Sequence, residues 1–169
     1  MNAFGPLMLL GVTERKLVLA TGRGNPIENV IELEPDNRTK RKWAAIRAKY
    51  PYWKERRPDT GVYNCAGMVW ASRRTTILGE YNEILRDDGF RKLRPAELAQ
   101  QGDLVLYVDG GLHVHVGVVQ GFEHGLVADG PPVPIVLSKW DSVSGEYFHR
   151  LNDHPFGGSV VVELWTDRP

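Results

Sequence analysis

The sequence predicts an α+β chain built on an antiparallel sheet, and three observations carry that prediction. Helix-like patterns come first, at residues 37–50, 65–76 and 80–88. Strand-like runs prevail after residue 102. The connections between those later runs are too short for the crossovers that parallel strands need. At 169 residues the chain fits one domain, with 42% hydrophobic and 25% charged residues, ordinary globular values. We divide it into 1–50 (N-terminal strands and a basic helix), 51–129 (the core that would carry chemistry) and 130–169 (C-terminal strands and loops).

The first elements are the apolar runs Leu17–Ala20 and Val30–Leu33, separated by turn material from Thr21 to Pro26. Gly22-Arg23-Gly24 lacks the third glycine and the following helix of a phosphate loop, so it reads as a turn. Asp36 or Asn37 then caps a helix that ends at Tyr50-Pro51. Trp43, Ile46 and Tyr50 form its apolar stripe. Between residues 38 and 57 there are nine basic residues against one acid, Glu55. Interleaved with Trp43, Tyr52 and Trp53, this segment is a candidate surface for an anionic partner.

Pro58 to Gly61 is a turn into Tyr63-Asn64-Cys65-Ala66-Gly67-Met68, which holds the only cysteine. One cysteine excludes an internal disulfide and a thiolate-rich zinc site. A helix from Cys65 to about Thr76 places the thiol at a helix N-terminus, where the dipole favours thiolate. The next helix, Glu80 to Asp88, is closed by Gly89. Pro95–Ala99 gives one helical turn before a hairpin of Gly102–Tyr107 and Leu112–Val119.

Alternation along that second strand puts His113 and His115 on one face, with Gly117 leaving room for a close neighbour such as a helix end. Either imidazole can take a thiol proton and return it to a leaving amine. A zinc site on the two histidines lacks a third ligand at a fitting spacing, so neither a metal nor a cofactor is expected. Beyond lie strands at 126–128, 135–137 and 159–165. The segment 136–150 has no mechanism attached to it.

Asn64–Val69, Gly102–Tyr107 and His115–Val119 resemble, in that order, the cysteine, Gly-Asp-Leu-Val and histidine blocks of NlpC-type papain-like cysteine hydrolases, a superfamily that includes the CHAP amidases. Pro51-Tyr52-Trp53 resembles the family's upstream tyrosine segment. The similarity covers residues 51–129. It implies a papain-like fold, with the nucleophile-bearing helix packed on the antiparallel sheet, cleaving a peptide or amide bond, often in peptidoglycan-like cell-wall peptides. By that likeness Cys65 is the nucleophile and His115 the general base, and Asp129 is the nearest polar candidate for the orienting residue, with Ala128 the alternative at that motif position. Tyr52, His113 and Asn64 are further expected to contact substrate.

The chain departs from the pattern at Asn64, where the family has aspartate, at Ala66, where it has serine, and at Lys54-Glu55-Arg56-Arg57, which replaces glycines. The cysteine-first order sets it apart from the permuted lecithin-retinol acyltransferase branch. The alternative function is a catalytically silent binding module that uses segment 38–57. The N-terminal run Pro6–Val12 is too short for a membrane span and has no basic residue before it, so cytoplasmic synthesis is expected. Export by a specialised secretion route would leave no mark in such a sequence, and the sequence does not indicate an oligomeric state.

Overall fold

Strands that expose alternate residues to two different cores make up the body of the molecule. The computed structural model describes residues 16–31, 37–79, 81–124 and 131–169. Within them the elements in order are β1 (Asn29–Val30), α1 (Asn37–Arg47), β2 (Lys54–Arg57), α2 (Cys65–Trp70), β3 (Thr76–Ile77), α3 (Asn82–Asp87), β4 (Arg91–Lys92), β5 (Leu104–Asp109), β6 (Leu112–Glu123), β7 (Val133–Ser138), β8 (Glu146–Arg150) and β9 (Val161–Thr166). Seven strands form one sheet in the order β2-β8-β7-β6-β5-β9-β4, and β1 pairs with β3 in a separate ladder. Every pairing is antiparallel.

The expected α+β, papain-like arrangement does not form. The dominant body is an antiparallel sheet, and the helices are three short pieces of 11, 6 and 6 residues that make no helical layer. The reason lies in the residues. Segment 38–49 is so polar that Trp43 alone is buried from α1, too narrow an apolar stripe to pack a helix layer. The helix from Cys65, expected to reach Thr76, stops at Trp70, because Ser72 and Arg73 turn the backbone to φ 50° and 66°. Of the expected runs Leu17–Ala20 and Val30–Leu33, the first gives an Ala20–Pro26 bridge and the second contributes Val30 to β1, while Glu32 and Leu33 lie outside the described residues.

The expected hairpin is present as β5 and β6, closed by Gly110 and Gly111 at φ 56° and 84°. Two successive left-handed residues are what a type I′ turn requires, and glycine adopts them without steric cost. Residues 146–150 are a full member of the sheet as β8. α3 ends before Gly89 at φ 78°, as expected for its C-terminal cap.

The two faces of the sheet have different cores. Leu104, Leu106 and Val116 join Cys65, Ala66, Ile77, Tyr81 and Ile84 on one side. Val105, Tyr107, Val119 and Val136 join Trp43, Trp53, Trp140 and Tyr147 on the other. We refer to these as the cysteine face and the tryptophan face. No helix among the described residues is long and apolar enough to cross a membrane.

Candidate functional site around Cys65

Asn64 fixes where the thiol sits. Its extended backbone (φ −99°, ψ −171°) and side chain cap α2, with Oδ1 accepting from the Gly67 amide at 2.8 Å. The same Oδ1 accepts from Ile77 N at 3.1 Å, and Nδ2 donates to Ile77 O at 2.8 Å. Asn64 therefore pins the start of α2 to β3, and its amide is occupied in doing so. Gly67 allows the approach, since a side chain there would collide with the Thr75 carbonyl.

Cys65 is buried at 6% exposure, and its Sγ lies 3.3 Å from the Tyr81 hydroxyl. Burial pushes the thiol pKa up. The Tyr81 hydrogen bond and the backbone amides of Val116 and Ala66 pull the other way. The Tyr81 hydroxyl is held well above the ordinary tyrosine range, first by burial and then by the neighbouring sulfur, so it remains a hydrogen-bond donor.

The histidines part company. Tyr107 faces His115 in the β5–β6 register, but Val108 faces His113, leaving Val114 as an extra residue on β6. This β-bulge breaks the alternation that would place both imidazoles together. His113 turns to the cysteine face, its ring parallel to Tyr81 within 3° at 6.3 Å between centroids and edge-on to Trp165 at 6.1 Å. Its Nδ1 is buried without a partner.

His115 instead enters the tryptophan face, stacked on Trp140 at 4.7 Å and packed against Tyr107 and Phe156. Its Nε2 is buried and unpaired, and burial, followed by His149 and His154, drives its pKa well below the ordinary value. Neither histidine is hydrogen-bonded to Cys65. The close neighbour that Gly117 admits is β7, whose Val136 and Ser138 side chains fill the space a Cβ would take. Asp129 lies outside the described residues.

Tyr52 is 85% exposed and lines a cleft that includes none of Cys65, Tyr81 and His113. The basic segment keeps Arg38, Arg41, Lys42, Lys49 and Lys54 on the surface, while Arg47 pairs with Glu55 and Arg56 with Glu146. Of the aromatics Trp43, Tyr52 and Trp53, Trp43 and Trp53 belong to the core, which removes them as base-stacking platforms. No group of three or more potential metal ligands occurs among the described residues.

Three participants on or beside the cysteine face escaped sequence reasoning. Tyr81 gave no signal beyond an aromatic in the first turn of an expected helix. Glu146, fully buried, accepts from Tyr63 at 2.7 Å and from Arg56 at 2.6 Å and is also bound by Arg73. Lys139, also fully buried, donates to Thr60 O at 2.8 Å and to Ser144 O, with its ammonium 5.0 Å from the Tyr63 ring centroid. Burial lowers its pKa to about 8. A lysine and a glutamate within a strand-like segment were the available hint.

Comparison of the chain with protein-family models, with curated proteins and with solved structures finds no match in any of the three.

Proposed function

We propose that the protein is a cysteine-dependent hydrolase of an amide bond, with Cys65 as nucleophile and His113, rather than His115, as the imidazole that serves it. The observation carrying this reading is the bulge at Val114, which puts His113 on the face of the thiol with Tyr81 between them. As the Cys65 sulfur bonds to the substrate carbonyl carbon, its proton passes to the imidazole and on to the departing amine. Water then cleaves the thioester, releasing the acid and restoring the thiol. The Tyr81 hydroxyl, a donor beside the sulfur, is placed to hydrogen-bond the developing oxyanion. The likeness of the cysteine block to NlpC-type hydrolases supports this chemistry and points to peptide substrates such as cell-wall peptides, whereas the histidine block of that likeness begins at His115 and does not bear on His113.

The test is turnover of peptide and peptidoglycan-fragment substrates by three folded variants. Cys65→Ala and His113→Gln are expected to lose on the order of a thousandfold or more in kcat/KM, within the range found for catalytic nucleophiles and bases. His115→Gln is expected to stay within about tenfold of the parent. Wild-type turnover by Cys65→Ala sinks the hydrolase. Loss in His115→Gln with retention in His113→Gln sinks the assignment of the base.

A second reading, a binding module for an anionic partner, is favoured by the burial that keeps Cys65 a neutral thiol and by the exposed cations of α1 and β2. Arg38, Arg41, Lys42, Lys49 and Lys54 have no carboxylate partner among the described residues. It requires binding to a polyanion such as heparin that weakens steeply with salt and is unchanged in Cys65→Ala.

A further inference from the structure

The edge formed by β2, β8 and β7 carries a cleft of about 590 Å³, within the size range of small-ligand sites. Ile135 and Phe148 give it apolar lining, and the ring of Tyr52 stands 85% exposed beside them. Four charged side chains surround these groups, and they are not equivalent. Arg150 and Glu123 neutralise each other in an ion pair. Lys54, opposite Phe148 in the β2–β8 register, has no side-chain partner among the described residues; Asp153 makes no ion pair or side-chain hydrogen bond there, and its carboxylate acts on Arg150 only at longer range.

The backbone that carries Lys54 is anchored to the backbone that carries Asp153. The Trp53 indole, one residue before Lys54, donates to the Asp153 carbonyl at 3.1 Å. The Tyr50 hydroxyl donates to the His154 carbonyl at 3.1 Å, and the Tyr50 and Trp53 rings stack at 4.3 Å. The turn bearing Tyr52 is thereby clamped to the loop bearing Asp153, so the cleft is formed before a ligand arrives.

We propose that this cleft binds a small zwitterion with an aromatic or branched apolar body, an amino-acid-type ligand. Its carboxylate meets Lys54, its ammonium meets Asp153, and its apolar body lies on Phe148 and Ile135 beneath Tyr52. A ligand with a single charge leaves either Lys54 or Asp153 without a counterion in the occupied cleft, which disfavours it. The site involves neither Cys65 nor His113 and stands whether or not the protein hydrolyses amides.

The experiment is an amide-detected NMR titration of the full chain with phenylalanine, N-acetyl-phenylalanine and phenylalanine amide. Phenylalanine is expected to give saturable shifts at Trp53, Lys54, Phe148 and Asp153, with a Kd on the order of 1 mM. Each blocked form should bind about tenfold more weakly, the loss of one charge-assisted contact. Lys54→Gln should erase the preference for phenylalanine over its amide, and Asp153→Asn the preference over the N-acetyl form. Both positions are at least partly exposed, so these variants keep the fold. The proposal is overturned if phenylalanine gives no saturable shift up to about 20 mM, if the blocked forms bind as well, or if both substitutions leave affinity unchanged.

Discussion

The Cys65 sulfur and the Tyr81 hydroxyl lie 3.3 Å apart inside one buried cluster, sixteen residues apart in sequence. This contact is one of the influences that pull the thiol pKa down against burial. Tyr81→Phe keeps the ring and deletes the contact, so the pKa should rise further. The native protein is then expected to react with iodoacetamide more slowly than the parent at any given pH, with the labelling midpoint displaced to higher pH. Intact-mass kinetics across pH 7–10 measure this, and faster labelling of the variant would contradict it.

A second expectation concerns acid. His149 donates from Nδ1 to Arg150 O at 2.7 Å and accepts at Nε2 from Ser138 at 2.9 Å, and burial holds its pKa at about 4. His115, beside it in the same aromatic cluster, is also driven well below the ordinary value by burial. Above pH 6.5 both rings are neutral in the folded and unfolded chain, and stability does not depend on them. As pH falls below 6.5 the unfolded chain binds protons that the fold does not, so stability falls by about 1.4 kcal/mol per pH unit for each histidine. For His149 the loss levels off near pH 4. Urea unfolding between pH 7 and 4 measures the slope, and a flat profile from 7 to 5 would refute the burial of neutral imidazoles.

Gly67 tests the packing of α2. A side chain there meets the Thr75 carbonyl and the Tyr63 Cβ, both parts of the core that cannot swing aside. Gly67→Ala is expected to cost about 3 kcal/mol or more, despite the better helix propensity of alanine. Thermal unfolding measures the loss. A variant as stable as the parent would mean that the close approach of α2 to Thr75 is absent in solution.

The contrast between the two histidines marks how far the sequence could be read. The hairpin was legible because Gly110-Gly111 and the flanking alternation are local signals, and so was the cap at Gly89. The side on which each histidine falls was not. Strict alternation is the default for a strand, and nothing in Leu112-His113-Val114-His115 announces that Val114 is the extra residue. The helical layer was overcalled for a related reason. Residues 65–76 suit a helix by composition, but the chain reverses at Ser72 and Arg73, whose left-handed backbone is stabilised by partners distant in sequence. Cys65 at the head of a helix was recoverable from Asn64. Its neighbour Tyr81 was not, nor was the packing of Trp165 on His113, because their nearness depends on the whole sheet.

The reversal at Ser72 and Arg73 supports the last prediction. Two consecutive non-glycine residues at φ 50° and 66° are strained, by about 1 kcal/mol or more each. The Arg73 amide donates to Gly67 O at 3.0 Å, and the Arg73 side chain is tied across the fold to Glu146, whose carboxylate also binds Arg56 and accepts the Tyr63 hydroxyl. Burial opposes its charge, yet these hydrogen bonds leave its pKa below the ordinary carboxylate range. Glu146→Gln removes the charge while leaving Arg73 and Arg56 in place, which should cost roughly 3 kcal/mol, nearer the lower end for a broken buried pair because both arginines are partly exposed. Ser72→Gly, at an exposed position, should act in the opposite direction, stabilising by up to about 1 kcal/mol as the left-handed backbone loses its steric penalty. Combining the two gives the discriminating measurement in denaturant unfolding. If Glu146 acts by holding the strained turn, the turn relaxes when Glu146→Gln releases it, and Ser72→Gly then stabilises the variant less than it stabilises the parent. If the two changes simply add, Glu146 stabilises β8 and Tyr63 independently of the turn.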